Sequence, residues 1–171
     1  MNQLTQLKKT PILAILIALA LVAIAAVPAL ATPPINVTTE IFGVGTFTDE
    51  INTYAKTGDW KARIDTRGVS DFHVLRNTIV PGGTFGWHSH PGPSLVIVTA
   101  GTATFYLGDD PTCTPHVVQA PGGTFVDGGN DVHLVRNEGA INLVTVVVSL
   151  IPQGAARRID EPNPGYCPDI N

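Results

Sequence analysis

Apolar and polar positions follow two regimes along this chain. From Pro11 to Val27 nearly every residue is apolar, without periodic relief. Beyond residue 31 the apolar runs are short, rich in Val, Ile, Thr and Phe, and broken every few residues by Gly, Pro, Asn or Asp. β-Branched and aromatic side chains fit a pleated, half-buried surface, so these runs predict strands. The boundaries fall at 35–48, 60–66, 72–80, 86–90, 94–107, 116–119, 124–126, 132–136 and 141–150. Turn signals lie at 81–83, 91–93, 108–111, 121–123, 127–130 and 138–139. No segment after residue 31 sustains a helical period, although 49–58 leaves room for one helical turn. Many short strands between Gly/Pro turns predict an all-β sandwich or barrel.

The first regime reads as a leader. Lys8 and Lys9 precede the apolar run, and Ala29-Leu30-Ala31 supplies a small-x-small cleavage site. Residues 1–31 are thus expected to be a signal peptide, removed on export to a secreted or extracytoplasmic location. An uncleaved membrane anchor is the alternative, since the run approaches the length needed to span a bilayer. Residues 32–171 then form one domain, ending in a Pro-rich tail over 152–171. Without the leader's two lysines, ten basic residues fall to eight against fourteen acids, a net charge of −6. That balance argues against nucleic acid and against a stable hold on anionic membranes. Arg157-Arg158 is the densest basic cluster and reads as a solvated pair in the tail. In an oxidising compartment Cys113 and Cys167 are candidates for a disulfide tying the tail to the 109–115 loop, the alternative being two unpaired thiols. No Cys-x-x-Cys or zinc-finger spacing occurs.

Candidate chemistry resides in histidines. His88 and His90 sit two apart in an expected strand, where alternate side chains share a face. His133 lies in a later expected strand after a Gly-rich turn. Three imidazoles converging on one point suit a divalent transition metal: Zn, Fe, Mn, Ni or Cu. A short echo accompanies them, Pro81-Gly82-Gly83-Thr84-Phe85 recurring as Pro121-Gly122-Gly123-Thr124-Phe125. It reads as two similar turns, each leading to ligands, or as reuse of a favourable turn sequence. His73 and His116 read as structural or surface residues.

With these residues in view, the chain resembles a small single-domain cupin, a double-stranded β-helix or jelly-roll barrel. The family's first motif has the form G-x5-H-x-H-x3,4-E-x6-G; here Gly82, His88, His90 and Gly101 match it, and Ser94 stands where the glutamate belongs. The second has the form G-x5-P-x-G-x2-H-x3-N; Gly122, His133 and Asn137 match it, while Gly128 and Asn130 replace its Pro and Gly. The motif region spans 82–137. The resemblance implies a cupin barrel, a metal on His88, His90 and His133, a small-molecule ligand or substrate, and a homodimer formed through edge strands, with 35–47 adding to a neighbouring sheet.

Ser94 removes the fourth ligand and one negative charge, because a serine hydroxyl is a poor ligand for a divalent ion. Asp131, two residues before His133, is the first replacement by parity, and Asp127 the second. If Ser94 faces inward, so do Val96 and Val98, with Leu95 and Ile97 packing on the opposite face. Val135 then lines the interior, Asn137 belongs near the site, and Trp87 packs on the outer sheet. Arg76 and Arg136 are the candidates for clamping an anion at the mouth. The expected function is an exported cupin-domain protein binding a divalent metal in an apolar pocket. Its alternatives are a metal-dependent dioxygenase-like or isomerase-like enzyme, and a non-catalytic ligand-binding or structural envelope protein.

Overall fold

The computed structural model describes residues 30–170. The expected signal peptide falls almost wholly outside them. Among the described residues there is no helix, and none long and apolar enough to cross a membrane. The strands are β1 (Ile35–Phe47), β2 (Asn52–Thr57), β3 (Trp60–Asp65), β4 (Ser70–Thr84), β5 (His88–Ser89) and β6 (Ser94–Ala100). They continue with β7 (Thr102–Leu107), β8 (His116–Gln119), β9 (Gly123–Asp127), β10 (His133–Arg136), β11 (Leu143–Pro152) and β12 (Ile159–Asp160).

Antiparallel pairing arranges them in two faces. One runs β1-β4-β11-β6-β9 and the other β12-β5-β10-β7-β8. The faces join where Arg136 of β10 pairs with Thr84 at the end of β4. This is the expected jelly roll. Its interior is filled by alternate residues: Ile79, Val98, Ala103, Val135 and Leu143 form one buried cluster, and Leu75, Val96 and Val147 a second. Trp87 packs outside the barrel with Tyr106, Leu134 and Cys167, as expected for a residue lying between two inward histidines.

Several boundaries differ from the sequence reading. Residues 49–58 hold no helical turn; Asn52–Thr57 is a strand in a hairpin with β3. Gly58, at φ +60°, opens the two-residue turn, and that local geometry favours the hairpin. The single strand expected over 94–107 is two, because Gly101 (φ +71°) turns the chain from one face to the other. A Cβ there would lie 2.6 Å from the carbonyl oxygen of Asn142. Conversely, Pro81-Gly82-Gly83 is no turn but the bent end of β4, where the strand changes partners from β11 to β10. Leu95 and Ile97 do not pack on a second layer; they are 56% and 46% exposed on the outer face. The tail supplies a strand that local pattern did not reveal, β12, paired with β5 as Ile159↔Ser89 and Asp160↔His88. A disulfide between Cys113 and Cys167 fixes the tail further on.

Leu143 is fully buried at the junction of the faces. Leu143→Ala should destabilise the protein by about 2–5 kcal/mol in urea unfolding, the cost of lost burial plus a cavity.

Candidate metal centre

His88 opens β5, His90 follows it, and His133 opens β10, where it pairs directly with His88. The register places three buried imidazoles together, with ring centroids 4.9 Å (88–90), 4.3 Å (88–133) and 5.4 Å (90–133) apart. Their ligand atoms all lie within 4.8 Å of one another. Each Nδ1 faces a backbone carbonyl. His88 bonds to Gly86 O at 2.9 Å and His133 to Asp131 O at 3.0 Å, both two residues back along the chain. His90 reaches Arg157 O in the tail at 2.5 Å. A carbonyl only accepts, so each Nδ1 carries the proton and each Nε2 lone pair is free. A bond from the far ring nitrogen to a carbonyl orients a histidine for metal binding.

Ser94 does not contribute to this cluster. Its hydroxyl pairs with Ser149 Oγ at 2.8 Å, across the register from β6 to β11. Its neighbour on the other side, Asp127 of β9, carries the acid. Asp127 Oδ2 lies 3.6 Å from His90 Nε2 and 4.0 Å from His133 Nε2. Oδ1 accepts from Gly129 N at 2.9 Å, whereas Oδ2 is buried without a hydrogen-bond partner. With both imidazoles protonated on Nδ1, unshared pairs face unshared pairs across this gap. A divalent cation relieves that arrangement, and nitrogen and carboxylate oxygen are suitable donors for one. Asp131, preferred by parity, is exposed and offers only its carbonyl to His133. Strand parity fails there because β10 begins at His133.

The cluster opens on a cavity of about 40 Å³ lined by Phe85, Val96, Phe125, Val135 and Val147, with Asn77, Ser94 and Thr145 as neutral polar groups. Val98 lies deeper, in the core beside Ile79 and Leu143. Asn137 is a loop clamp: Nδ2 donates to Ile79 O (2.8 Å) and Ile141 O (2.7 Å), and Oδ1 accepts from Gly139 N (3.0 Å). Arg76 pairs with Glu40 on the outer face, and Arg136 lies 3.5 Å from Glu138, so neither guards the mouth. That place belongs to Arg157 and Arg158, which are not a solvated pair but part of the cavity wall. Pairing of β12 with β5 carries them in, a long-range effect absent from local pattern. His116 stacks on Phe105, and His73 stands apart from the cluster.

The cupin domain family matches residues 75–149. The barrel is a cupin barrel. No curated protein is detectably similar in sequence. Among solved structures, a cupin-like protein from Thermotoga maritima is 22% identical with TM-score 0.46, over 54% of this chain and 65% of its own. A protein with a double-stranded β-helix domain from Klebsiella pneumoniae is 18% identical with TM-score 0.45, over 67% and 80%. A polyketide cyclase from Streptomyces resistomycificus is 18% identical with TM-score 0.44, over 56% and 66%. This chain spans just under two thirds of the Thermotoga and Streptomyces proteins. At these identities the likeness concerns the fold alone.

Burial holds the His88 imidazole well below its ordinary value, with His133 and Arg158 adding to the effect. Burial likewise lowers His90, to about 4. Both rings of the cupin barrel are therefore neutral and ligand-competent at neutral pH. An unfolded histidine titrates near 6.5, so between that value and about 4 the unfolded chain binds more protons than the folded one. Stability is then complete above pH 6.5 and falls as pH drops through this window. Metal-free protein should show a falling urea midpoint over that range, and His90→Gln should flatten part of the decline.

Proposed function

We propose that this is an exported cupin-domain protein that binds one divalent transition ion, Zn, Fe, Mn, Ni or Cu, through His88, His90 and His133. Asp127 supplies the carboxylate absent at position 94. The observation carrying this reading is the cluster of three buried imidazoles, their ligand atoms within 4.8 Å of one another and each Nδ1 engaged, with the unpartnered Oδ2 of Asp127 within 4.0 Å of the Nε2 atoms of His90 and His133. A metal there acts as a Lewis acid toward a small molecule or activates a bound one. The protein's own residues orient the ligand in the apolar wall of Phe85, Phe125 and Val147 and hold the imidazoles in one tautomer.

The catalytic version, a dioxygenase-like or isomerase-like enzyme, is supported by a metal face that opens on the cavity rather than being enclosed by protein donors. The disulfide supports an oxidising, extracytoplasmic location. A homodimer is supported by exposed Ile41, Phe42 and Val44 on β1 and by Leu95 and Ile97 on the same face of the barrel.

Metal analysis of the exported protein tests the reading. One equivalent of ion is expected, lost in His88→Ala and His133→Ala. Asp127→Asn should weaken metal affinity by at least about tenfold, while Ser94→Ala leaves it nearly unchanged. Protein that stays empty when offered all five ions overturns the proposal.

A further inference from the structure

The two arginines of the tail occupy an unusual position. Arg158 is mostly buried, with its guanidinium 5.9 Å from the Phe85 ring centroid. Its Nε donates to Asp160 Oδ1 at 2.7 Å and its Nη2 to Thr32 O at 3.4 Å. These two bonds fix the plane of the group. The remaining nitrogen, Nη1, is buried without a partner, and Arg158 is one of the residues lining the metal cavity. Arg157 is half-buried in the same wall, and its guanidinium has no hydrogen-bond or ion-pair partner among the described residues. Burial lowers the proton affinity of both groups; the Arg158 cation adds to the effect at Arg157, whereas Asp160 opposes it at Arg158. A guanidinium nonetheless stays charged, and a buried donor left unpaired is costly.

We propose that the cavity binds a small organic carboxylate beside the metal site, with the Arg158 and Arg157 guanidinium groups as its countercharge. This deepens the metal-binding reading above and rests on it for the charge balance. Asp160 answers Arg158, and Asp127 faces the imidazoles. A divalent ion among the histidines therefore leaves the cavity with surplus positive charge that no described residue offsets. An anionic ligand offsets it.

Size and wall chemistry narrow the class. About 40 Å³ admits only a few heavy atoms beyond the metal's own shell. Arginine presents its donors in a planar fork that matches a carboxylate. A tetrahedral oxyanion brings four oxygens to a wall of Phe85, Val96, Phe125, Val135 and Val147, where most of them find no donor. A short carbon skeleton suits those side chains. The ligand is therefore a mono- or dicarboxylate of a few carbons. Arg157 and Arg158 are specificity residues for the carboxylate, and Asn77 and Thr145, bonded to each other at 3.5 Å, are further polar groups of the wall.

The test is calorimetric titration of the full exported protein with acetate, oxalate and malonate, and with phosphate and sulfate, in metal-loaded and metal-free forms. Metal content is measured on every sample. At least one carboxylate is expected to saturate the loaded protein more tightly than either inorganic anion. Arg158→Gln should weaken that binding by at least about tenfold at unchanged metal content. Arg157→Gln, whose side chain ties nothing in the fold, gives a second reading if Arg158→Gln disturbs the tail. A loaded protein that ignores every carboxylate to about 10 mM, a range covering weak millimolar binding, overturns this inference and leaves the metal reading standing. So does phosphate or sulfate binding as tightly, or carboxylate binding indifferent to both variants. If the protein takes no metal, the metal reading falls and the metal-free titration decides. Binding that depends on the arginines sustains the carboxylate site, and its absence overturns it.

Discussion

Each clustered imidazole gives its Nδ1 proton to a backbone carbonyl, and the candidate site depends on those three bonds. They select one tautomer, set each ring's angle, and turn three lone pairs toward a common point. Two of the acceptors, Gly86 and Asp131, lie two residues before the histidine they hold, so a short turn into the strand is sufficient. The third does not come from nearby. Arg157 O reaches His90 from 67 residues away, delivered by the pairing of β12 with β5. Around this point the barrel is a support: the His88↔His133 register brings two strands together, and the buried clusters beneath hold that register.

Burial shapes the chemistry as strongly as geometry does. Removing the His88 and His90 rings from water keeps them uncharged at neutral pH, which is the ligand form. The same removal makes the unpartnered oxygen of Asp127 and nitrogen of Arg158 costly to leave alone. Both residues line one small cavity, Asp127 beside His90 and His133 and Arg158 beside Phe85. The polar requirements of the wall thus outnumber what the chain satisfies by itself.

Much of the fold was legible in the chain because strand alternation and Gly/Pro punctuation are local. His88 and His90 could be placed on one face from spacing alone, His133 was legible as a histidine in a later strand after a Gly-rich turn, and the family motifs tied the three by their joint spacing. The errors share a cause. Asp131 was favoured over Asp127 because parity was counted back from His133, past the point where the strand begins. Asp127 enters through its cross-strand register with Ser94, which a single sequence does not display. The arginines looked solvated for the same reason: the pairing that buries them joins segments some 70 residues apart. The 49–58 segment failed differently, where a two-residue glycine turn prevailed over an expected helical turn.

The dependence of His90 on Arg157 also imposes an order of events. A chain emerging from its synthesis can bring His88 and His133 into register before the tail exists, but the third ring stays unfixed until the segment around residue 157 has come out and folded back. The cysteine bond beyond it then secures that closure in an oxidising setting. The hold on His90 therefore comes from a part of the chain made later than the histidines it completes.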